Sequence, residues 1–294
     1  MARGAKMDNG SKTKTTSKQS TSKQSSSKKV PYTNKQQVLL FGATGRMGLE
    51  ITELLKKHRT LRLGAAVTLT EITAFDEEHM AILKNTPKAL TAVLQGADII
   101  IDFSSPAGTA SLFKSFADVK DKVVLIGTTG LPEKLQSEIR AAAKHGGHKI
   151  LMAGNTSFGV STLAKLAVIA AKNLAAIGFD IEITETHHHL KADSPSGTAI
   201  FFAEMMQRTI PDSKIIFNGS GKRVPGSIGI HSIRGGGVIG DHDIRFISES
   251  EEICLSHRAL NRSLFAKGAL NLVAEIALTL KPGTARALRD YILE

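Results

Sequence analysis

The sequence predicts an α/β protein in which a doubly wound parallel sheet is followed by an α+β domain with a mixed sheet. Three observations support this. Short apolar runs alternate with helical patterns through the first half. A glycine triplet stands between the first such run and the first helical pattern. Beyond residue 213 the pattern changes to long stretches of alternating apolar and polar residues between glycine turns. At 294 residues, 41% of them hydrophobic, the chain is long enough for two domains with cores of their own.

Order is expected from residue 35, because residues 1–34 are rich in Ser, Thr and Lys and almost free of large apolar residues. Residues 1–29 hold eight basic residues against the single acid Asp8, a net +7 of the chain's +11. The body is therefore only mildly basic. The segment is read as a disordered, solvated tail, in preference to an arm that contacts nucleic acid or an organelle transit peptide. No run approaches the roughly 18 apolar residues of a membrane span, so no membrane partner is expected. The one cysteine, Cys254, is compatible with a reducing, cytoplasmic compartment and lies in an alternating run, where a buried strand thiol is expected.

In "QQVLLFGATGRMGLEITELLKK" a buried strand, Val38–Phe41, leads into Gly42, Gly45 and Gly48, and then into a helix whose packed face is Met47, Ile51, Leu54, Leu55 and His58. Strand, glycine turn and helix form a Rossmann-type unit: free N–H groups and a positive helix end await a pyrophosphate. "LRLGAAVTL", "ADIIIDFSS" and "KVVLIGTTG" read as further strands, with helices in "PAGTASLFKSFADV" and "PEKLQSEIRAAAKHG". Ligands sit at the carboxyl ends of such strands, which singles out Ser104, Thr128 and Thr129. The position that in NAD-selective units carries an acid for the ribose is Thr68, followed by Leu69. That neutrality, with Arg46 in the glycine loop, points to NADPH or to use of both NADPH and NADH.

Residues 35–155 thus form the dinucleotide-binding domain, and 156–261 form the second domain. A helix covers "STLAKLAVIAAKNLAAIG", and a strand in "FDIEITET" delivers three histidines. In "HHHLKADSPSGT" Ser194 is the expected N-cap and Pro195 the first helical residue, with Ser196, Gly197 and Thr198 in the first turn. The unpaired N–H groups of that turn suit a carboxylate or phosphate. A zinc site is disfavoured because consecutive histidines on a strand face opposite ways. Imidazoles beside an anion-binding helix start favour proton donation near neutral pH.

"HHHLKADSPSGT" resembles the H-H-x-x-K-x-D-x-P-S-G-T motif of the dihydrodipicolinate reductase family. "FGATGRMG", "IDFSSPAGT", "IGTTG", "SIRGGGVIGDH" and "LSHRALNRSLFAKGAL" extend the resemblance from about residue 36 to the end. The resemblance implies NAD(P)H-dependent reduction of 4-hydroxy-tetrahydrodipicolinate in lysine and diaminopimelate biosynthesis. His187 would be the proton-donating imidazole and Lys191 a carboxylate ligand or the acid. His188, Ser196, Gly197 and Thr198 would hold the substrate carboxylates, and Arg262 would position His187. Gly45, Arg46, Met47, Gly127, Thr128 and Thr129 would line the dinucleotide, with Ala153, Gly154 and Asn155 by its ring. Residues 262–294 would return to complete the first domain, and the second domain would also build a homotetramer. Thr156 departs from the family, some of whose members carry an aromatic residue there. Asp193 and His242 read as structural. The rival readings are another dinucleotide dehydrogenase and a non-catalytic relative that binds polyanions through the tail.

Overall fold

The structure is a computed structural model that describes residues 35–75 and 80–293, so the expectations for residues 1–34 lie outside the described residues. The first domain runs β1 (Gln36–Phe41), α1 (Arg46–Lys56), β2 (Leu61–Val67), β3 (Glu71–Phe75), β4 (Met80–Lys84), α2 (Pro87–Gly96), β5 (Ile99–Asp102), α3 (Pro106–Lys114), β6 (Val123–Ile126), α4 (Glu133–Gly146) and β7 (Lys149–Met152). The second domain contributes α5 (Phe158–Leu174), β8 (Asp180–His187), α6 (Gly197–Gln207), β9 (Ile215–Phe217), β10 (Ile228–Arg234), β11 (Asp241–Ile247) and β12 (Glu252–Arg258). The chain then returns through α7 (Ser263–Thr279), β13 (Thr284–Ala287) and α8 (Leu288–Tyr291).

The first sheet has the order β13-β7-β6-β5-β1-β2-β3-β4. From β13 to β2 every pairing is parallel, and the central strands are apolar on both faces, as helices on both sides require. The antiparallel pair β3 and β4 at the edge was not legible in the sequence. The turn that leads into it runs from β2 to β3, where Thr68 N donates to Glu71 O at 2.8 Å and Glu71 N donates to Thr68 Oγ1 at 3.1 Å; β3 thus folds back antiparallel to β2, and β4 pairs antiparallel along its far side. His58, expected on the packed face of α1, lies beyond its end and accepts from the N–H groups of Thr60 and Leu61.

The second sheet is mixed, β12-β11-β8-β10-β9, with β8, β10 and β9 parallel and β11 antiparallel to β8 and β12. Its inner face (Ile181, Ile183, Ile230, Ile244, Phe246) packs on α5 and α6. The outer face is open and polar, with Glu182, His231 and Arg245 on it. Cys254, expected to be buried, is exposed on the outermost strand, which none of the described residues covers on that side. One helical segment, Phe158–Ile177, is long and apolar enough to cross a membrane, contrary to the sequence reading. Its apolarity has a local use: Val160, Leu163, Ala164, Ala167 and Ala171 are the stripe that packs into the second domain.

The domains are joined where α7 meets the segment after β7. A Cβ on Gly268 would collide with the Thr156 carbonyl, so glycine lets α7 lie against the linker. Thr156, which stands where some family members carry an aromatic residue, is buried, and its hydroxyl donates to Phe265 O at 2.6 Å.

His148 is buried in the first domain, its Nδ1 accepting from Lys122 N at 3.1 Å. Burial pushes its pKa down to about 4. In the unfolded chain the same imidazole takes a proton near pH 6.5, whereas the folded protein resists until about pH 4. Stability should therefore fall as pH drops from 6.5 towards 4. His148→Gln should flatten the fall, measured as unfolding midpoint against pH.

Candidate active site

The glycine loop has the shape a dinucleotide needs. Gly42 adopts φ +83°, and a Cβ there would stand 2.5 Å from Phe103 O. Gly45 is the N-cap of α1 without a side-chain bond, so the helix start is left to backbone N–H groups. A Cβ on Gly48 would strike the carbonyls of Gly42 and Ala43, so α1 lies directly on the loop. Beside it, Gly127 leaves room for the Phe103 ring. This cradle is one that side chains would fill, and it fits a pyrophosphate-bearing group.

The neighbouring strand ends are tied together by Asp102. Its carboxylate accepts from Ser104 N at 2.9 Å, Ser104 Oγ at 2.6 Å and Thr109 Oγ1 at 2.5 Å. Burial raises the Asp102 pKa, against the opposing pull of those hydrogen bonds. Ser104 N also donates to Thr128 Oγ1 at 3.1 Å, so Ser104 and Thr128 hold the two loops in register. Ala153 is fully buried, and its N–H bonds to Ile126 O; its contribution is backbone placement.

In the second domain β8 ends at His187, which is buried, whereas His188 is half-buried and His189 exposed. His187 Nδ1 lies 2.5 Å from Glu185 Oε2. His189 is turned away, its Nδ1 3.0 Å from Gly236 O. Lys191 Nζ is held by Asp193 at 2.6 and 2.8 Å, so Asp193 restrains a candidate site residue and is more than a turn former. The helix start is displaced from expectation by two residues. Ser196 is the N-cap, accepting from Ala199 N at 3.2 Å, and α6 begins at Gly197; Ser194 and Pro195 precede the helix. Ser196 Oγ also meets His242 Nε2 at 3.2 Å, and its N–H donates to Glu185 Oε1 at 3.0 Å. Thr198 Oγ1 accepts from Asn155 Nδ2 at 3.0 Å, a bond across the two domains.

His242 is the hydrogen-bonded sheet histidine the sequence suggested. Burial pushes its pKa down to about 3, and it lies edge-on to His187 at 5.3 Å, a neutral neighbour. His188 is held below its usual value by desolvation first and by the Arg262 charge second. Arg262 was expected to position His187, but the hydrogen bond that fixes that ring comes from Glu185.

Two cavities lie between the domains. One, of about 680 Å³, runs from Arg46, Met47 and Gly127 to His188 and Arg262. The other, of about 760 Å³, is lined by Thr128, Thr129, Ser196 and Gly197 and extends to Glu204 and Arg289. Gly154, Asn155, His187, Lys191 and Thr198 line both, so the cavities meet at the residues with the most chemistry to offer. Gly42, Gly45, Gly48, Ser104 and Ala153 shape the loops from behind. Thr68 stands at the end of β2, its hydroxyl engaged with Glu71.

The sequence reading missed Glu185 and Arg234. Glu185 was findable, since it lies two residues before His187 and so shares its face of β8. Arg234 comes alongside only because β10 pairs with β8 and sets Arg234 opposite His187.

Comparison with known proteins adds the following. Residues 36–156 match the family description "Dihydrodipicolinate reductase, N-terminus" and residues 159–291 match "Dihydrodipicolinate reductase, C-terminus". The 4-hydroxy-tetrahydrodipicolinate reductase of Aquifex aeolicus is 36% identical over 242 residues, covering 80% of this chain and 91% of the relative. That of Agrobacterium fabrum is 37% identical over 261 residues, covering 84% and 93%. A dipicolinate-bound dihydrodipicolinate reductase from Paenisporosarcina sp. TG-14 shares the fold with a TM-score of 0.67 at 22% identity, over 87% of this chain and 99% of that one. The C. glutamicum DAP dehydrogenase shares it with a TM-score of 0.50 at 10% identity, over 89% and 96%.

Proposed function

The chain belongs to the dihydrodipicolinate reductase family, and from that premise we propose that it reduces 4-hydroxy-tetrahydrodipicolinate to tetrahydrodipicolinate with NAD(P)H, a step of lysine and diaminopimelate biosynthesis. The observation that carries this reading is the meeting of the two cavities at Asn155, His187, Lys191 and Thr198. The reduced nicotinamide, when bound, supplies a hydride. The chain's residues orient and exchange protons around that event.

The glycine loop and the start of α1 bind the pyrophosphate through backbone N–H groups. Gly127, Gly154 and Asn155, which line the same cavity as Arg46 and Met47, would hold the nicotinamide end. The opposite wall offers fixed positive partners to a dicarboxylate: the Lys191 ammonium and the first turn of α6, where Thr198 keeps its hydroxyl proton to donate. As the substrate arrives, its carboxylate replaces Asp193 as the partner of Lys191. Loss of the substrate's hydroxyl as water leaves a conjugated imine; a hydride added to one of its carbons then leaves negative charge on the conjugated partner, and an acid nearby that gives this position its proton lowers the barrier. His187 and Lys191 are the two groups able to give that proton.

Steady-state loss of reduced nicotinamide, with substrate made in place by the enzyme that precedes this step, tests the reading. Turnover that depends on substrate is expected with both NADPH and NADH, because Thr68 neither repels a 2′-phosphate nor captures a 2′-hydroxyl as an acid would. Thr68→Glu should therefore cut kcat/KM for NADPH about tenfold or more and spare NADH. Unchanged selectivity would move the ribose elsewhere. Assembly into a homotetramer through the open outer face of the second sheet, with action in the cytoplasm, belongs to the same proposal. A five-stranded face left uncovered by the described residues, together with its edges, is a surface a second copy would cover.

A further inference from the structure

His187 has a partner that the reaction scheme does not use. Glu185 is fully buried on the same face of β8. Besides His187 Nδ1 at 2.5 Å, its carboxylate accepts from Arg234 at 2.9 Å on Oε2 and 2.7 Å on Oε1, and from Ser196 N at 3.0 Å. The surrounding groups are donors, so the carboxylate stays ionised and can only accept. Burial opposes its charge, yet the hydrogen bonds from His187 and Arg234 outweigh burial and hold its pKa well below the usual carboxylate range. The imidazole must then carry its proton on Nδ1, which leaves Nε2 as the nitrogen that exchanges. On that edge a Cβ at Gly240 would stand 2.9 Å from Nε2, so glycine keeps the nitrogen uncrowded. Arg234 is anchored in turn on the Asp193 carbonyl at 2.7 Å, linking the dyad to the segment that carries Lys191.

We infer that Glu185, clamped by Arg234, is a positioning residue that fixes the tautomer and ring plane of His187 for proton transfer through Nε2. The inference rests on the reading that His187 handles the proton. A neutral amide at 185 could donate as well as accept, so the imidazole would lose its enforced tautomer. An Asp→Asn change behind a catalytic histidine in a serine protease acts in this way and costs about 10⁴ in kcat.

Selective ¹⁵N labelling of histidine, with the His187 signal assigned by its loss in His187→Ala, should show Nδ1 protonated in the wild-type protein. A neutral ring protonated at Nε2 in place of Nδ1 overturns the inference. Glu185→Gln should lower kcat roughly 10²–10⁴-fold with little change in the KM for reduced nicotinamide. Because that variant leaves the part-buried Arg234 without its counter-charge, the double variant Glu185→Gln, Arg234→Gln removes both charges together. A folded double variant that remains slow, with a mixed His187 tautomer, supports positioning. A double variant with wild-type kcat means that Glu185 serves only to neutralise Arg234. Wild-type protein without any turnover would instead fault the proposed reaction, which keeps the two failures apart.

Discussion

Lys191→Ala lowers kcat/KM for the dicarboxylate about 10²–10⁴-fold, while affinity for NAD(P)H changes by no more than about twofold. Lys191 lines both cavities, and its ammonium is already matched to a carboxylate, that of Asp193, at 2.6 and 2.8 Å. A substrate carboxylate has the same chemistry and would take the same partner. With alanine in place, Asp193 is left as an unpaired anion facing an anionic substrate. The glycine loop, by contrast, lies in the other domain and makes no use of Lys191. The way the loss divides is informative. If KM carries it, Lys191 only binds; if kcat carries it, Lys191 gives the proton. A collapse of dinucleotide affinity would refute the division of labour between the domains. Steady-state kinetics, with fluorescence titration of the reduced nicotinamide, provides both numbers.

Gly42→Ala should have the second large effect, on the opposite wall. At φ +83° an L side chain is strained by roughly 1–2 kcal/mol. The new Cβ would also press on Phe103 O from 2.5 Å, and overpacking of backbone typically costs about 1–3 kcal/mol. Relief requires the loop to move away from the end of β5, which disturbs the cradle itself. Dinucleotide affinity should fall at least about tenfold, and the denaturant midpoint should fall with it. Wild-type affinity in a destabilised protein would show that the loop tolerates displacement and that its shape is not what selects the ligand.

The parts of this molecule that could be read from sequence are those whose physics is local. Gly42, Gly45 and Gly48 sit directly between an apolar strand and an amphipathic helix, and in the structure Gly42 makes the tight turn while Gly48 lets the helix lie on the loop. Ser196, Gly197 and Thr198 stand at a helix start and line a cavity with Lys191. The helix cap was misplaced because Ser194 and Ser196 are equally able acceptors; the choice was made by Ala199 N, Glu185 and His242, two of which are distant in sequence. The edge pair β3 and β4 escaped notice because β4 is exposed along its whole length and shows no alternation. Arg234 is 49 residues from Glu185, and only the β8–β10 register brings them together. Cys254 sits in an alternating run, as a strand should, but alternation does not say whether a sheet has a covered second face.

In the proposed reaction a hydride passes directly between two ligands held on opposite walls of one junction. The most direct measurement is isotope transfer, with NADPH and NADH deuterated on the donating face of the nicotinamide and the product analysed by mass spectrometry. Direct transfer should place one deuterium in each product molecule, retained in ordinary water. Product without deuterium, or no product at all from folded protein, would contradict it.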